Sequence, residues 1–159
     1  MILLLAFLIC TIFLTRMVLI ITGRLKGPIV QMFERYGDDE PFFYPWPQFF
    51  MWSGGWLMIA QLLLRFYLGI ALPIMWIGFL LLLAAFIAYR MTDRAREWEF
   101  LHALHPFWLQ DLWERTTRLE RRRIAYMWIR LSWKARLYYN SSDQAFLQWA
   151  DLVIMATLF

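Results

Sequence analysis

The chain has little of what catalysis usually requires. It contains a single cysteine, Cys10, so neither an intrachain disulfide nor a cysteine-based metal cluster is possible. It has no glycine-rich phosphate loop, and none of its serines lies in a nucleophile-elbow pattern. These absences predict a protein that is not an enzyme and that carries no cofactor.

Charged residues are scarce too, at 18% of the 159 residues, whereas 62% are hydrophobic and 19% are aromatic. An ordinary soluble domain is about 45–50% apolar. The mean hydropathy is +0.49, and uncharged apolar runs approach the roughly 20 residues that a helix needs to cross a bilayer. The composition therefore predicts an all-α membrane protein.

Residues 1–22 form the first predicted transmembrane helix, a short N-terminal span. Fourteen of them are Leu, Ile, Phe or Val, each of which favours insertion by about 0.3–0.6 kcal/mol at the helix centre. Arg16 lies off-centre, where its long side chain either reaches the headgroups or pairs with a partner helix. A cleaved signal peptide is disfavoured, because no basic region precedes the apolar core and no small-residue cleavage site follows it.

Residues 23–47 are predicted to form a charged loop that is rich in proline and aromatic residues, with one short helix near residues 29–36. Aromatic residues alternate with prolines at its end, in residues 42–47. Such a segment suits either the headgroup level, where Trp and Tyr collect, or a docking strip for a partner subunit.

The next 41 residues, 49–89, are mostly apolar and would measure about 62 Å as one helix, twice the hydrocarbon core. Gly69 and Pro73 supply a break, which predicts a tight helical hairpin. Gln61 and Arg65 dilute its first helix, which therefore either crosses the membrane or is re-entrant. The two predicted helices are residues 48–68 and residues 70–90.

The basic residues select a topology with three spans. Three spans place the N-terminus outside and both the loop and the tail inside, so that only Arg16 and Arg65 fall elsewhere. Two spans would separate the basic residues of the loop from those of the tail, against the positive-inside tendency. We therefore expect a cytoplasmic tail and a bacterial inner membrane or an equivalent energy-transducing membrane.

Residues 91–159 form the predicted tail, which contains six of the ten tryptophans. Disordered segments have few aromatics, so the tail is expected to be helical, amphipathic and aromatic-rich. A break at Pro106 and capping residues at 140–143 divide it. The predicted helices are residues 93–105, 109–139 and 144–159.

Residues 123–138, taken as one helix, place Arg123, Arg130 and Lys134 in a narrow basic stripe between two apolar arcs. One arc contains Trp128 and the other contains Trp133. Since water would leave one arc exposed, we expect this helix to lie in the membrane interface or between protein surfaces. Anionic lipid headgroups suit the basic residues, and nucleic acid is the weaker candidate partner.

Helix packing supplies the other candidate contacts. Small residues let helix backbones approach closely in membranes. They occur on both hairpin helices, as Gly54, Gly55, Ala84 and Ala88, and Trp149 in the last predicted helix adds an aromatic contact.

The residues Glu99, His102 and His105 form the only pattern that resembles a metal site, with three possible ligands at i,i+3 spacing on one helix face. No second acidic motif completes a four-ligand or two-metal site. An ordinary histidine pair is therefore preferred over a ligand set.

These patterns favour a non-catalytic accessory or scaffold subunit of a multi-subunit membrane complex of the respiratory, photosynthetic or secretion type, with other membrane subunits as partners. A haem-, metal- or pigment-binding electron-transfer subunit that uses His102 or His105 is one alternative, which an absorption spectrum and metal analysis would test. A small transporter or channel component is another, and it requires polar residues that face a shared pore.

Overall fold

The computed structural model describes residues 1–35, 44–70, 72–90 and 104–156. All secondary structure in these residues is helical, which confirms the predicted all-α class. The helices are α1 (Ile2–Ile21), α2 (Gly27–Arg35), α3 (Trp46–Leu68), α4 (Ile74–Arg90), α5 (Phe107–Arg115), α6 (Arg118–Arg130), α7 (Trp133–Ser141) and α8 (Asp143–Ala156). The predicted helix over residues 93–105 falls almost entirely outside the described residues.

The chain divides into two compact units. The first unit consists of the described residues of Met1–Val18 and Phe43–Ala95, and the second of those of Leu19–Phe42 and Arg96–Phe159. The last turn of α1 and all of α2 therefore belong to the same unit as the C-terminal helices, which the sequence pattern did not predict.

In the first unit, α3 and α4 form a closely packed hairpin that breaks where the sequence predicts. Gly69 ends α3 in the left-handed conformation with φ 68°, and its N–H donates to Arg65 O at 3.1 Å. The backbones approach closely at two glycines: a Cβ built on Gly54 would lie 2.7 Å from Gly78 O. Gln61 is buried, and rotation of its amide pairs both of its ends with the Leu72 backbone, at 3.0 and 3.2 Å.

Helix α1 contacts α3 through side chains. Phe13 stacks on Trp52 with 4.5 Å between ring centroids, and Trp56 Nε1 donates to Thr11 Oγ1 at 3.0 Å. The Thr11 hydroxyl in turn donates to Phe7 O at 2.8 Å, so this polar group within an apolar helix both donates and accepts a hydrogen bond.

Both α1 and α3 are long and apolar enough to cross a membrane. Only 17% of the most apolar stretch of α1 and 11% of that of α3 is buried inside the protein, unlike the core helices of a soluble fold. Helix α4 is equally apolar but shorter, with 17 residues.

In the second unit, the predicted long helix over residues 109–139 is wrong, because the chain forms α5, α6 and α7 instead. Thr117 begins α6 with a capping box: its N–H donates to Glu120 Oε2 at 2.6 Å, and its hydroxyl accepts from Glu120 N. Ser132 begins α7 by accepting from Ala135 N at 3.3 Å. These local caps outcompete helix continuation, which the apolar periodicity alone could not indicate.

Two other predicted boundaries are confirmed. The short helix in the loop is α2, which packs mainly on α6 and buries Ile29, Val30 and Phe33. The predicted cap between the last two helices is Ser142, whose hydroxyl accepts from Ala145 N at 3.3 Å.

Candidate interaction sites

A buried lysine joins the segment after α1 to the C-terminal helices. The Lys26 side chain is 1% exposed, and its Nζ lies 2.8 Å from Asp143 Oδ1. The same Nζ donates to Gly23 O at 3.1 Å and to Asn140 O at 3.0 Å, while Lys26 N donates to Asn140 Oδ1 at 2.9 Å. All three ammonium donors are thus occupied, so Lys26 acts as a clamp and is not available as a nucleophile.

Aromatic rings surround this clamp. Lys26 Nζ lies 6.0 Å from the Trp108 ring centroid and 5.9 Å from that of Phe146. Phe146 packs edge-on against Trp108 at 5.1 Å and against Trp128 at 5.6 Å, and Trp128 contacts Trp149 at 5.6 Å. We call Trp108, Trp128, Phe146 and Trp149 the aromatic core of the second unit.

Two glycines make room for the tryptophans of this core. A Cβ on Gly27 would lie 3.3 Å from Trp128 Nε1, and one on Gly23, whose φ is 75°, would lie 3.1 Å from Trp108 Nε1. Neither indole N–H has a hydrogen-bond acceptor among the described residues, and each lies close to a glycine. Close packing therefore replaces the hydrogen bond that a buried Trp usually makes.

The predicted basic stripe with two apolar arcs does not form, because residues 123–138 are split between α6 and α7. Trp128, at 1% exposed, and Trp149, at 9%, lie in the aromatic core and are not available to a partner. Trp133 is 67% exposed, and Arg123, Arg130 and Lys134 are exposed as well. Helices α2 and α8 pack on α6, where Ile124 and Trp128 are buried, whereas Trp133 on α7 stays exposed.

The predicted small-residue contacts are used partly within the chain. Gly54 faces α4, whereas a Cβ on Gly55 would lie 3.9 Å from Cys10 Sγ, an ordinary contact, and would meet no other described atom within 4 Å. Ala88 is buried and Ala84 is half-buried.

The predicted ligand set can be followed only in part, because Glu99 and His102 lie outside the described residues. His105 is 5% exposed and packs edge-on against Trp113 at 5.1 Å. Within residues 1–35, 44–70, 72–90 and 104–156, no group of three His, Cys, Asp or Glu side chains is placed to hold a metal ion.

A half-open cleft of about 500 Å³ lies between α5 and α8. Asp111, Asp143 and Asp151 contribute carboxylates to it, with Phe107 at its edge. Asp111 is paired with Arg115 at 2.8 Å and Asp143 with Lys26, so structural ion pairs already occupy two of the three acids.

No protein-family model, no curated protein and no solved structure matches the chain.

Proposed function

We propose that the chain is a non-catalytic accessory or scaffold subunit of a larger membrane complex, which it enters through its spans and through the surface of its second unit. The observation that carries the proposal is the apolar surface that remains outside the two membrane-length helices. Phe107 on α5 is 71% exposed, and Leu152 and Met155 on α8 are 61% and 52% exposed. Leu152 and Met155 are three residues apart and therefore lie on one face of α8. A contiguous apolar patch outside a bilayer is typical of a binding surface.

Three spans remain the preferred topology. Since α3 and α4 pack as an antiparallel hairpin, a crossing by α3 requires α4 to return through the bilayer. The 17 residues of α4 reach about 26 Å at 1.5 Å per residue, close to the hydrocarbon thickness. Its outer face is apolar, with Trp76, Phe79 and Leu83 exposed. With its amide rotated to pair with the Leu72 backbone, Gln61 leaves no uncompensated polar group in the bilayer, which is compatible with a crossing α3.

The basic residues support an outside N-terminus and a cytoplasmic second unit. Loop and tail cations then share one side of an inner or equivalent energy-transducing membrane. Lys26 of the loop is buried in the same unit as α5–α8, so the loop and the tail pack together. This packing requires them to lie on the same side of the membrane.

The test is purification of the tagged chain from its native membranes in a mild detergent, with identification of the proteins that accompany it. We expect an assembly much larger than the 19.3 kDa of the chain, with a defined set of membrane proteins. The variant Leu152→Ser, Met155→Ser should lose these partners while it remains in the membrane. Gln144→Ala, an exposed change on the same helix, is the matched control and should retain them.

Recovery of the wild-type chain from its native membranes without any accompanying protein would contradict the proposal. So would full retention of the partners by the double variant.

A further inference from the structure

Helix α7 has an unusual composition for its exposure. None of its nine residues is buried, and its exposed side chains are Trp133, Lys134, Leu137, Tyr138 and Ser141. At 3.6 residues per turn these five positions fall within one arc of about 140°. We call this arc the α7 surface; it combines two aromatic rings, a leucine and a lysine.

The sequence that contains α7 is basic. Residues 121–142 contain six Lys and Arg and no Asp or Glu. Arg130 lies over the Tyr126 ring at 4.0 Å from its centroid, and Lys134 Nζ lies 5.8 Å from the centroid of the Trp133 ring. Each cation therefore extends along an aromatic ring, as amphipathic side chains do at a headgroup layer.

The chain also keeps the second unit close to the end of α1. The second unit includes residues 19–21, the last turn of α1. Lys26, five residues beyond that helix, is already buried in the unit, so little free chain separates it from the end of α1. If α1 crosses the bilayer, the second unit lies at the bilayer surface.

We infer that the α7 surface lies on an anionic lipid bilayer, with Trp133, Leu137 and Tyr138 in the headgroup region and with Lys134 and Arg130 among the lipid phosphates. This inference rests on the proposed membrane insertion of α1. The charge of the α7 surface favours a lipid bilayer as its partner, because the surface has a cation and no acid and an anionic bilayer presents many acidic groups in one plane. The headgroup layer of a bilayer also accepts Trp and Tyr side chains at the same depth.

The experiment uses the full chain in vesicles of phosphatidylcholine alone or with phosphatidylglycerol, in a Cys10→Ala background. A spin label attached at Leu137→Cys reports on the α7 surface. The depth of the label in the bilayer is measured from its collision rates with oxygen, which concentrates in lipid, and with a nickel chelate, which stays in water. Leu119→Cys on α6 is the matched control, because Leu119 is 66% exposed and Leu137 57%. Ile12→Cys, in α1 and 59% exposed, reports separately on insertion of the span.

In vesicles that contain phosphatidylglycerol, we expect the label at residue 137 to collide more often with oxygen than with the nickel chelate. The label at residue 119 should stay in water. Replacing Lys134 with Gln should lower, by about fivefold, the equilibrium constant for moving the label at residue 137 from water into the lipid. A label at residue 137 that stays aqueous while residue 12 is in lipid overturns this inference alone. An aqueous label at residue 12 overturns the proposed membrane insertion. Dipolar coupling between labels at residue 137 of two copies, without lipid contact, would identify a protein contact and also overturn the inference.

Discussion

Lys26 Nζ and Asp143 Oδ1 lie 2.8 Å apart, with the lysine 1% and the aspartate 45% exposed. This ion pair ties the segment after α1 to the first turn of α8. The two partners differ in exposure, so their removal should have unequal consequences. Asp143 without its lysine can be hydrated, whereas Lys26 without its aspartate remains a buried charge.

We therefore expect Asp143→Ala to lower the free energy of unfolding by about 3 kcal/mol or more, and Lys26→Met by about 1–3 kcal/mol. The double variant should cost less than the sum, because methionine fits among Trp108 and Phe146 and no charge is left buried. Urea unfolding followed by tryptophan fluorescence in detergent measures all three. Asp151→Ala on the same helix is the control, and additive losses in the double variant would show that the pair is not coupled.

Gly54 and Gly55 provide a matched pair on α3. A Cβ at Gly54 meets the Gly78 carbonyl, so Gly54→Ala must separate α3 from α4 and should cost about 1–3 kcal/mol. Gly55→Ala has ordinary contacts and removes a flexible residue, so it should be neutral or stabilising by up to about 1 kcal/mol. Thermal unfolding in detergent compares the two variants. Equal behaviour would mean that the hairpin does not pack at Gly54.

Trp128 and Trp133 should behave differently, although both are predicted from the sequence as partner contacts. Trp128→Ser opens a cavity in the aromatic core and should cost about 3–5 kcal/mol. Trp133→Ser changes an exposed side chain and should alter stability by no more than about 0.5 kcal/mol. Protease resistance and unfolding midpoints distinguish the two, and a strongly destabilised Trp133→Ser would argue against an exposed α7 surface.

The α6 capping box should make stability depend on acid pH. The hydrogen bond from the Thr117 backbone N–H lowers the pKa of Glu120 below its ordinary value of 4.5. Its contribution is therefore present above that value and is lost as the pH falls through the lowered pKa. In Glu120→Gln this acid dependence should be weaker, and Thr117→Ala should cost about 1 kcal/mol at neutral pH. Unfolding midpoints between pH 3 and pH 7 check both, and an unchanged pH profile in Glu120→Gln would refute the assignment.

The three-span topology predicts which residues a membrane-impermeant maleimide reaches in intact cells. In a Cys10→Ala background, Leu68→Cys at the hairpin should react directly, since Leu68 is 64% exposed. Leu119→Cys on α6, where Leu119 is 66% exposed, should react only after the cells are permeabilised. Labelling of residue 119 in intact cells is the outcome that would overturn the topology.

The helix ends that the sequence predicts well depend on residues that are close to each other along the chain. The break at Gly69 follows from the left-handed cap that glycine gives a helix. The cap at Ser142 follows from its hydroxyl, which accepts a hydrogen bond from the N–H of Ala145, three residues later. Thr117 and Glu120 also have the spacing of a capping box, so the sequence contains a local signal for the start of α6. The apolar periodicity across residues 109–139 favours one long helix instead.

The sequence by itself determined the helical class, the apolar helices, the hairpin break and the basic character of residues 121–142, because each depends on composition or on residues within about one helical turn. Only the tertiary structure decided that Lys26 pairs with Asp143, that α2 and α8 cover Trp128, and that Trp133 stays exposed. Lys26 and Asn140 are 114 residues apart. No local pattern specifies such a pair, since Lys26 resembles any loop cation until α8 brings a carboxylate to it. Equally, the two tryptophans lie on similar apolar arcs until a glycine in α2 makes room for one of them.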